Sequence, residues 1–161
     1  SLGCVGETYR NSERVRRACQ FLLDHRGEDG GWGESYKACE IGEWVDHPEG
    51  SQVVMTAWAV IGLLEAGFDD VEVLRRALGI VVERQRRNGE WLQEGIEGVF
   101  NKSWYVSLFL FHFYHRSDYR GREKASADVD GSMISYPNYK FIFPIKALGM
   151  FRQRYGDVEL V

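Results

Sequence analysis

Apolar and polar residues follow two kinds of helical pattern along this chain. Residues 13–26 carry apolar side chains at helical spacing on one side after Ser12, which predicts an amphipathic helix with a serine N-cap. Residues 52–66 are apolar nearly all round and stop at Gly67, which predicts a helix buried on every face. We therefore expect outer, amphipathic helices to alternate with inner, apolar ones.

The rest of the chain continues this helical pattern. Asp69 or Asp70 is expected to cap a second amphipathic helix, which residues 88–91 close with a turn. Residues 34–50 are predicted to be irregular because Pro48 and Gly50 break any helix there. A last helix is predicted over residues 141–155, with Pro144 in its first turn and Gly156 just after its end.

An internal repeat links the two amphipathic helices. Trp32 and Trp91 are 59 positions apart, as are Arg26 and Gln85. A glycine stands two positions before each tryptophan. Each unit is expected to be a helix that ends in a Gly-containing turn with an exposed aromatic ring. One such unit cannot bury its own apolar face, so the repeat implies a larger ring or stack of helices. The predicted fold class is all-α, a partial α/α toroid.

Charge argues against a nucleic-acid partner. The 161 residues carry a formal net charge of −4, and no basic tract is long enough to follow a phosphate backbone. The arginine-rich spots at residues 14–17 and 84–87 alternate with acids on helices, so solvated helix faces are the expected reading.

Cysteine use and hydropathy place further limits on the chain. Cys4, Cys19 and Cys39 have no metal-ligand spacing, and their odd number argues against a disulfide framework, so a reducing compartment is expected. The sequence holds no signal peptide and no apolar run long enough to span a bilayer. Because it starts at Ser1 and runs straight into helical sequence, we expect it to be a piece of a longer protein.

Four strings carry a resemblance to a known family. They are DGGWGESYKACE, QVVMTAWAVIGLLEAG, NGEWLQEGIEGVFNKS and ISYPNYKFIFPIKALGMF. They resemble the C-terminal end of oxidosqualene cyclases, above all the fungal lanosterol synthases, over residues 1–103 and 133–155. The resemblance implies an α/α toroid in which each Trp ring stacks on a Gln and ties neighbouring outer helices. Arg26 stands where the family usually has Gln, and a guanidinium can also stack on Trp32.

The family's chemistry implies a role for aromatic residues. Its members protonate (S)-2,3-epoxysqualene and close its rings through a series of cations, which aromatic faces stabilise in a dry cavity. Phe100 matches a position that faces the late cations, and Tyr136 and Tyr139 match aromatic positions close to the cavity. Plain core packing is the alternative for each of these three. Trp58 is expected to be structural on either reading.

The catalytic acid of that family is missing. Its Asp-Cys-Thr-Ala-Glu motif, whose aspartate protonates the epoxide, does not occur in this sequence, and Asp128 and Asp130 resemble a related acidic motif only superficially. We therefore expect no catalytic residue here and no activity from this chain alone. The resemblance implies no metal and no organic cofactor. It implies an intracellular place at the endoplasmic reticulum membrane or a lipid droplet, with membrane contact through other parts of the protein.

One internal block departs from the family. Residues 104–132 stand where the family has a single cysteine, which divides the chain into 1–103, 104–132 and 133–161. A retained intron is the favoured hypothesis for the block, because its ends can encode splice signals and removing it restores a cysteine codon. A genuine lineage-specific loop is the rival hypothesis. The aromatic run of the block is expected either to displace the cavity wall beside Phe100 and Tyr136 or to remain exposed as an aggregation-prone segment. His112 and His115 are spaced for one helix face but have no third ligand nearby.

Two other functions compete with an enzyme piece. One is a non-catalytic, truncated helical module that binds no substrate. The other is a protein prenyltransferase β-type subunit, which is also an α/α toroid. That family needs an Asp/Cys/His zinc site, and the sequence offers no convincing cluster of this kind.

Overall fold

The computed structural model describes residues 5–95, 98–100, 132–134 and 136–160, with only the backbone described for Cys39, Glu40 and the two short strands. The helices are α1 (Glu13–Asp24), α2 (Ala38–Ile41), α3 (Val53–Ala66), α4 (Val71–Glu83) and α5 (Tyr139–Tyr155). They belong to one compact unit, Ser1–Gly95 with Tyr136–Val161. A second unit, Ile96–Ser135, holds the strands β1 (Gly98–Phe100) and β2 (Ser132–Ile134).

The ends of the first helices follow the predicted caps. The Ser12 hydroxyl accepts a hydrogen bond from the Val15 amide, and the Asp70 carboxylate accepts from the amides of Glu72 and Val73. Gly67 ends α3 at a φ of +77°, a conformation that favours glycine. These local signals confirm the predicted starts of α1 and α4 and the predicted stop of α3.

Two predictions were wrong, one about residues 34–50 and one about the start of the last helix. Residues 34–50 contain the short helix α2 and a β-bridge between Glu34 and Asp46, so they are not wholly irregular. Helix α5 begins at Tyr139, whose amide donates to the Tyr136 carbonyl, and Pro144 is therefore inside the helix rather than in its first turn. The proline removes one intrahelical hydrogen-bond donor. Because its ring is buried, its packing stabilises the helix and offsets the lost hydrogen bond.

Helix α3 lies at the centre of the larger unit. It packs against α1, α4 and α5, and Ala57, Val60 and Leu63 are fully buried on it. The prediction that every face is buried was only partly right. One stripe is half-buried or exposed, and its members are Met55, Trp58, Ile61, Gly62 and Glu65.

The smaller unit is described only by its strand pair. The strands are antiparallel, with Val99 opposite Met133 and Phe100 opposite Ser132. The side chain of Phe100 and residues 101–131, which include His112, His115 and the aspartates of the inserted block, lie outside the described residues. The predictions made for them stay predictions.

Candidate functional site

The two repeat turns hold their tryptophans in the same way. Trp32 donates from its indole nitrogen to the Leu22 carbonyl at 2.7 Å, and Trp91 donates to the Val81 carbonyl at 2.7 Å. Each acceptor lies ten residues before its donor. Both rings are only 2% exposed, so the prediction of exposed rings was wrong. The indoles bind carbonyls near the C-terminal ends of α1 and α4, where helices leave acceptors unpaired.

The backbone of the two turns repeats as well. The Gly27 amide donates to the Gly31 carbonyl at 2.9 Å, and fifty-nine positions later Arg86 and Glu90 make the same bond at 2.9 Å. The φ angles of Gly30 and Gly89 are +100° and +83°. Residues with a side chain rarely adopt such angles, which explains the glycine in both units.

The side-chain tie across each turn differs between the units. Gln85 donates from Nε2 to the Gly89 carbonyl at 3.0 Å. Within the described part of the chain, Arg26 forms no hydrogen bond, ion pair or cation–π contact through its side chain. The first unit therefore keeps the buried tryptophan and the turn, but the guanidinium does not replace the glutamine.

The first turn is fixed to the central helix by one buried hydroxyl. Thr56 accepts a hydrogen bond from the Trp32 amide at 3.0 Å and donates to the Trp32 carbonyl at 3.3 Å. The Gln52 amide donates to the same carbonyl at 2.8 Å. Thr56 is fully buried, so its two bonds with Trp32 satisfy a hydroxyl that would otherwise be costly to remove from water.

Two arginines of the second unit contact the first unit: Arg76 binds the turn itself, and Arg84 binds the segment that follows the turn. Arg76 donates to the carbonyls of Glu28 and Asp29, the latter at 3.2 Å. Arg84 donates to the Ser51 carbonyl and to Glu94 at 3.1 Å. Arg84 therefore links two segments while its side chain stays exposed, so the prediction of a solvated face still holds for it.

Asp29 is the acidic group of this junction. Its carboxylate accepts from the Ser51 hydroxyl at 2.6 Å and from the Gly31 amide at 3.1 Å. Burial works to raise the pKa of Asp29, but these hydrogen bonds and the charge of Arg84 outweigh it and lower the pKa. The ionised form of Asp29 therefore stabilises the turn.

A cluster of four aromatic rings joins α3 to the start of α5. We call it the aromatic cluster; its members are Trp58, Tyr136, Tyr139 and Phe143. The Trp58 ring meets Tyr139 at 5.7 Å and 69°, and Phe143 at 5.3 Å and 81°, measured between ring centroids. Tyr136 lies over Tyr139 at 4.9 Å and 37°. The two edge-to-face contacts of Trp58 fix the orientation of the rings that they join.

The cluster brings together two of the three residues that the sequence analysis assigned to the cavity. Tyr136 and Tyr139 are in contact, and Tyr136 is 46% exposed, so the cluster has an outward side that can meet a ligand. Phe143 was not predicted from the sequence, although its spacing of four from Tyr139 places both on one face of α5. Trp58 was predicted to be structural, and its ring indeed packs against both of them.

Other chemistry is sparse in the described part of the chain. No group of three metal-ligating side chains lies close together there, and no helix there is long and apolar enough to cross a membrane. Burial disfavours the charged form of the Cys19 thiol and of the Glu34 carboxyl, which raises the pKa of each.

Comparison with known proteins relates the chain to squalene-hopene cyclases and lanosterol synthases. The family model described as squalene-hopene cyclase C-terminal domain matches residues 1–118. The lanosterol synthase of Gibberella zeae is 49% identical over 161 residues, that of Pneumocystis carinii 47% over 158, and that of Homo sapiens 37% over 163. These alignments cover 98–100% of this chain but only 17–18% of each relative.

Proposed function

The chain belongs to the squalene-hopene cyclase C-terminal domain family, and we propose on that basis that it is the C-terminal part of a lanosterol-type oxidosqualene cyclase. The complete enzyme would convert (S)-2,3-epoxysqualene to a sterol precursor through a cascade of cations. This is an isomerisation, so it consumes no oxidant, and the proposal requires no metal or organic cofactor.

The aromatic cluster is the observation that carries this proposal. Ring faces attract positive charge by about 0.5–2 kcal/mol each, and more where water is excluded. Tyr136 and Tyr139 supply such faces, and the contacts of Trp58 with Tyr139 hold one of them in a fixed orientation. Phe100 is proposed to join them in lining the cavity, on the strength of its match to the family's phenylalanine.

The proposal assigns no acid to this chain. Protonation of an epoxide needs a strong, positioned acid, and the Asp-Cys-Thr-Ala-Glu motif is absent from the sequence. The acid would lie on a further part of the protein, so the chain by itself would bind the cascade's cations without starting it. We therefore expect it to be inactive alone.

The location of the enzyme is part of the same proposal. An epoxidised C30 hydrocarbon dissolves in lipid rather than water, so the enzyme would work at the endoplasmic reticulum membrane or a lipid droplet. Contact with the membrane would come from parts of the protein outside this chain, as a peripheral attachment. The net charge of −4 gives no support to a nucleic-acid partner.

A second candidate function is a non-catalytic helical module. The block of residues 104–132, which follows Phe100 closely in sequence, favours it, and the absence of an acid motif upstream in the full gene would favour it further. A gene product of this kind would keep the repeat units and bind no substrate.

Sequencing reverse-transcribed mRNA across codons 103 to 133 and upstream of Ser1 tests the choice. The cyclase proposal predicts an in-frame Asp-Cys-Thr-Ala-Glu motif upstream. The retained-intron hypothesis predicts Ser103 joined to Met133 through one cysteine. A mature transcript that begins near Ser1 and keeps the block would overturn the cyclase proposal and favour the helical module.

A further inference from the structure

Both repeat turns place an aspartate or an asparagine directly before the glycine of positive φ. The pairs are Asp29–Gly30 and Asn88–Gly89, which correspond across the period of 59. The backbone amide of the glycine can attack the side-chain carbonyl before it, because a glycine has no side chain to hinder ring closure. Asn88 is the only asparagine of the sequence that precedes a glycine. Both turns therefore carry the atoms for an intramolecular cyclisation, and their surroundings decide whether it occurs.

The first turn holds its pair in place. The Asp29 carboxylate accepts from the Ser51 hydroxyl at 2.6 Å and from the Gly31 amide at 3.1 Å. Gly30 is buried, and an added Cβ there would come within 2.8 Å of the Arg76 side chain. The attacking amide is therefore covered by the arginine. The ionised carboxylate is also a poor electrophile, so this pair is protected in two ways.

The equivalent pair of the second turn is open to solvent. Asn88 and Gly89 are both exposed, and an added Cβ at Gly89 would meet no atom within 4 Å. The Asn88 side chain accepts from the Glu90 amide and donates to the Glu90 carboxylate, each at 3.1 Å. The Gly89 amide donates to the Arg86 carbonyl at 2.8 Å. Because these bonds lie at the surface, the turn can release them at low cost.

We propose that Asn88 is a site of spontaneous modification, at which the side-chain amide is converted to aspartate and isoaspartate. The Gly89 amide nitrogen forms a bond to Cγ of Asn88, the bond from Cγ to Nδ2 breaks, and Nδ2 leaves as ammonia with the proton of the Gly89 amide. Water then opens the cyclic succinimide. Opening at the side-chain carbonyl gives aspartate, and opening at the backbone carbonyl gives isoaspartate. The steps consume only water and need no oxidant, reductant or enzyme.

The products would weaken the contacts of the second turn. Each product has a carboxylate in place of the amide that donates to Glu90, and Glu90 also pairs with Lys140 of α5 at 3.6 Å. Isoaspartate lengthens the main chain by one methylene, which disturbs the bond of 2.9 Å from the Arg86 amide to the Glu90 carbonyl. Isoaspartate also presents a free α-carboxylate. A methyltransferase that esterifies isoaspartyl carboxylates is therefore the class of enzyme expected to act on the modified chain.

Ageing of the folded 161-residue chain at mildly alkaline pH tests this site. Peptide mass spectrometry follows the replacement of amide by carboxyl at Asn88, and isoaspartate is detected by enzymatic methyl transfer from labelled S-adenosylmethionine. Synthetic peptides of residues 84–92 and 25–33 give the unprotected rates. We expect Asn88 to react within about tenfold of its peptide, which corresponds to an opening free energy of at most about 1.4 kcal/mol. Isoaspartate at Asp29 should form more than about tenfold slower than in its own peptide.

Variants and internal controls separate the causes. Asn88→Gln should abolish the product of the second turn, because closure through a longer side chain is slower. Arg76→Ala uncovers the glycine of the first turn and should speed isoaspartate formation at Asp29. Asn11 and Asn138 are exposed but precede bulkier residues, so they should stay unmodified while Asn88 reacts.

Three outcomes would overturn the proposal. One is equal protection of Asn88 and Asp29 relative to their peptides, which an unfolded chain would also show. Another is a folded chain in which Asn88 remains unmodified after its peptide has reacted. The third is modification of Asn11 or Asn138 as fast as that of Asn88, which would show that the second turn has no special reactivity.

Discussion

Trp32 and Trp91, which are 59 positions apart, donate from their indole nitrogens to the carbonyls of Leu22 and Val81 at the same distance, 2.7 Å. The repeat is therefore conserved between the two units at the level of individual donors and acceptors. Each bond ties a turn back to the helix that it ends. Since both rings are buried, the bond and the packing of the ring act together to stop the helix end from fraying.

Removing the indole donor is expected to weaken the fold. In Trp91→Phe the Val81 carbonyl stays buried without its partner, so the free energy of unfolding should fall by about 1–3 kcal/mol. Urea denaturation followed by circular dichroism measures this. Trp44→Phe is the matched control, because that indole donates to Asp46 in an exposed pair and its loss should cost less than about 0.5 kcal/mol. Equal losses in the two variants would contradict a structural role for the buried bond.

Acid is expected to loosen the first turn through Asp29. Because its pKa is lowered in the folded chain, the ionised carboxylate contributes stability that is fully present above its unfolded pKa, about 3.9. That contribution is lost as the pH falls through the lower, folded value. Urea midpoints between pH 7 and pH 3 should therefore decline more steeply for the native chain than for Asp29→Asn. Parallel curves would show that the Asp29 contacts with Ser51 and Gly31 add no net stability.

Local signals account for the parts of this structure that could be predicted. Ser12, Asp70 and Gly67 act on amides and carbonyls within a few residues, so their roles are visible in the sequence itself. The bonds of Thr56 to Trp32 and of Arg76 to Asp29 span 24 and 47 positions, and no periodicity announces them.

The wrong predictions also concern contacts between residues that are far apart in the sequence. A tryptophan beside glycines resembles a surface turn, and the rings are buried only because the turns pack on neighbouring helices. The candidate site was predicted in part: Tyr136 and Tyr139 came from the family's pattern, whereas their contacts with α3 depend on how two distant helices pack.

Changing Trp58 tests whether the aromatic cluster orients a cavity wall. In the longer gene product, Trp58→Leu removes the edge contacts with Tyr139 and Phe143, each worth about 0.5–1.5 kcal/mol. A change of that size in competing barriers alters branching ratios about two- to tenfold, so more incompletely cyclised products are expected by gas chromatography with mass spectrometry. Trp44→Leu, which lies outside the cluster, should keep the native product ratio. An unchanged ratio with slower turnover alone would leave Trp58 a packing residue.

Replacing residues 104–132 by one cysteine tests the inserted block. In the observed register the cysteine would take the place of Ser132 opposite Phe100, which leaves Asn101, Lys102 and Ser103 as a three-residue hairpin loop. Such a loop is a common connection, and the change removes the aromatic run, so we expect a higher soluble yield and an equal or higher melting temperature. A variant that keeps the length but changes residues 108–111 to serine separates the effect of the aromatic run from that of loop length. Lower stability of the cysteine variant would identify the block as a native part of the fold.

Turnover is the most direct test of the proposal that this chain completes an oxidosqualene cyclase. The longer gene product and the 161-residue chain are each incubated with (S)-2,3-epoxysqualene, and the lipids are separated by gas chromatography with mass spectrometry. We expect a cyclised C30 alcohol of the same mass as the substrate from the longer protein, and unchanged substrate from the short chain. Unchanged substrate from a folded longer protein would contradict the proposal and leave a helical module without catalysis.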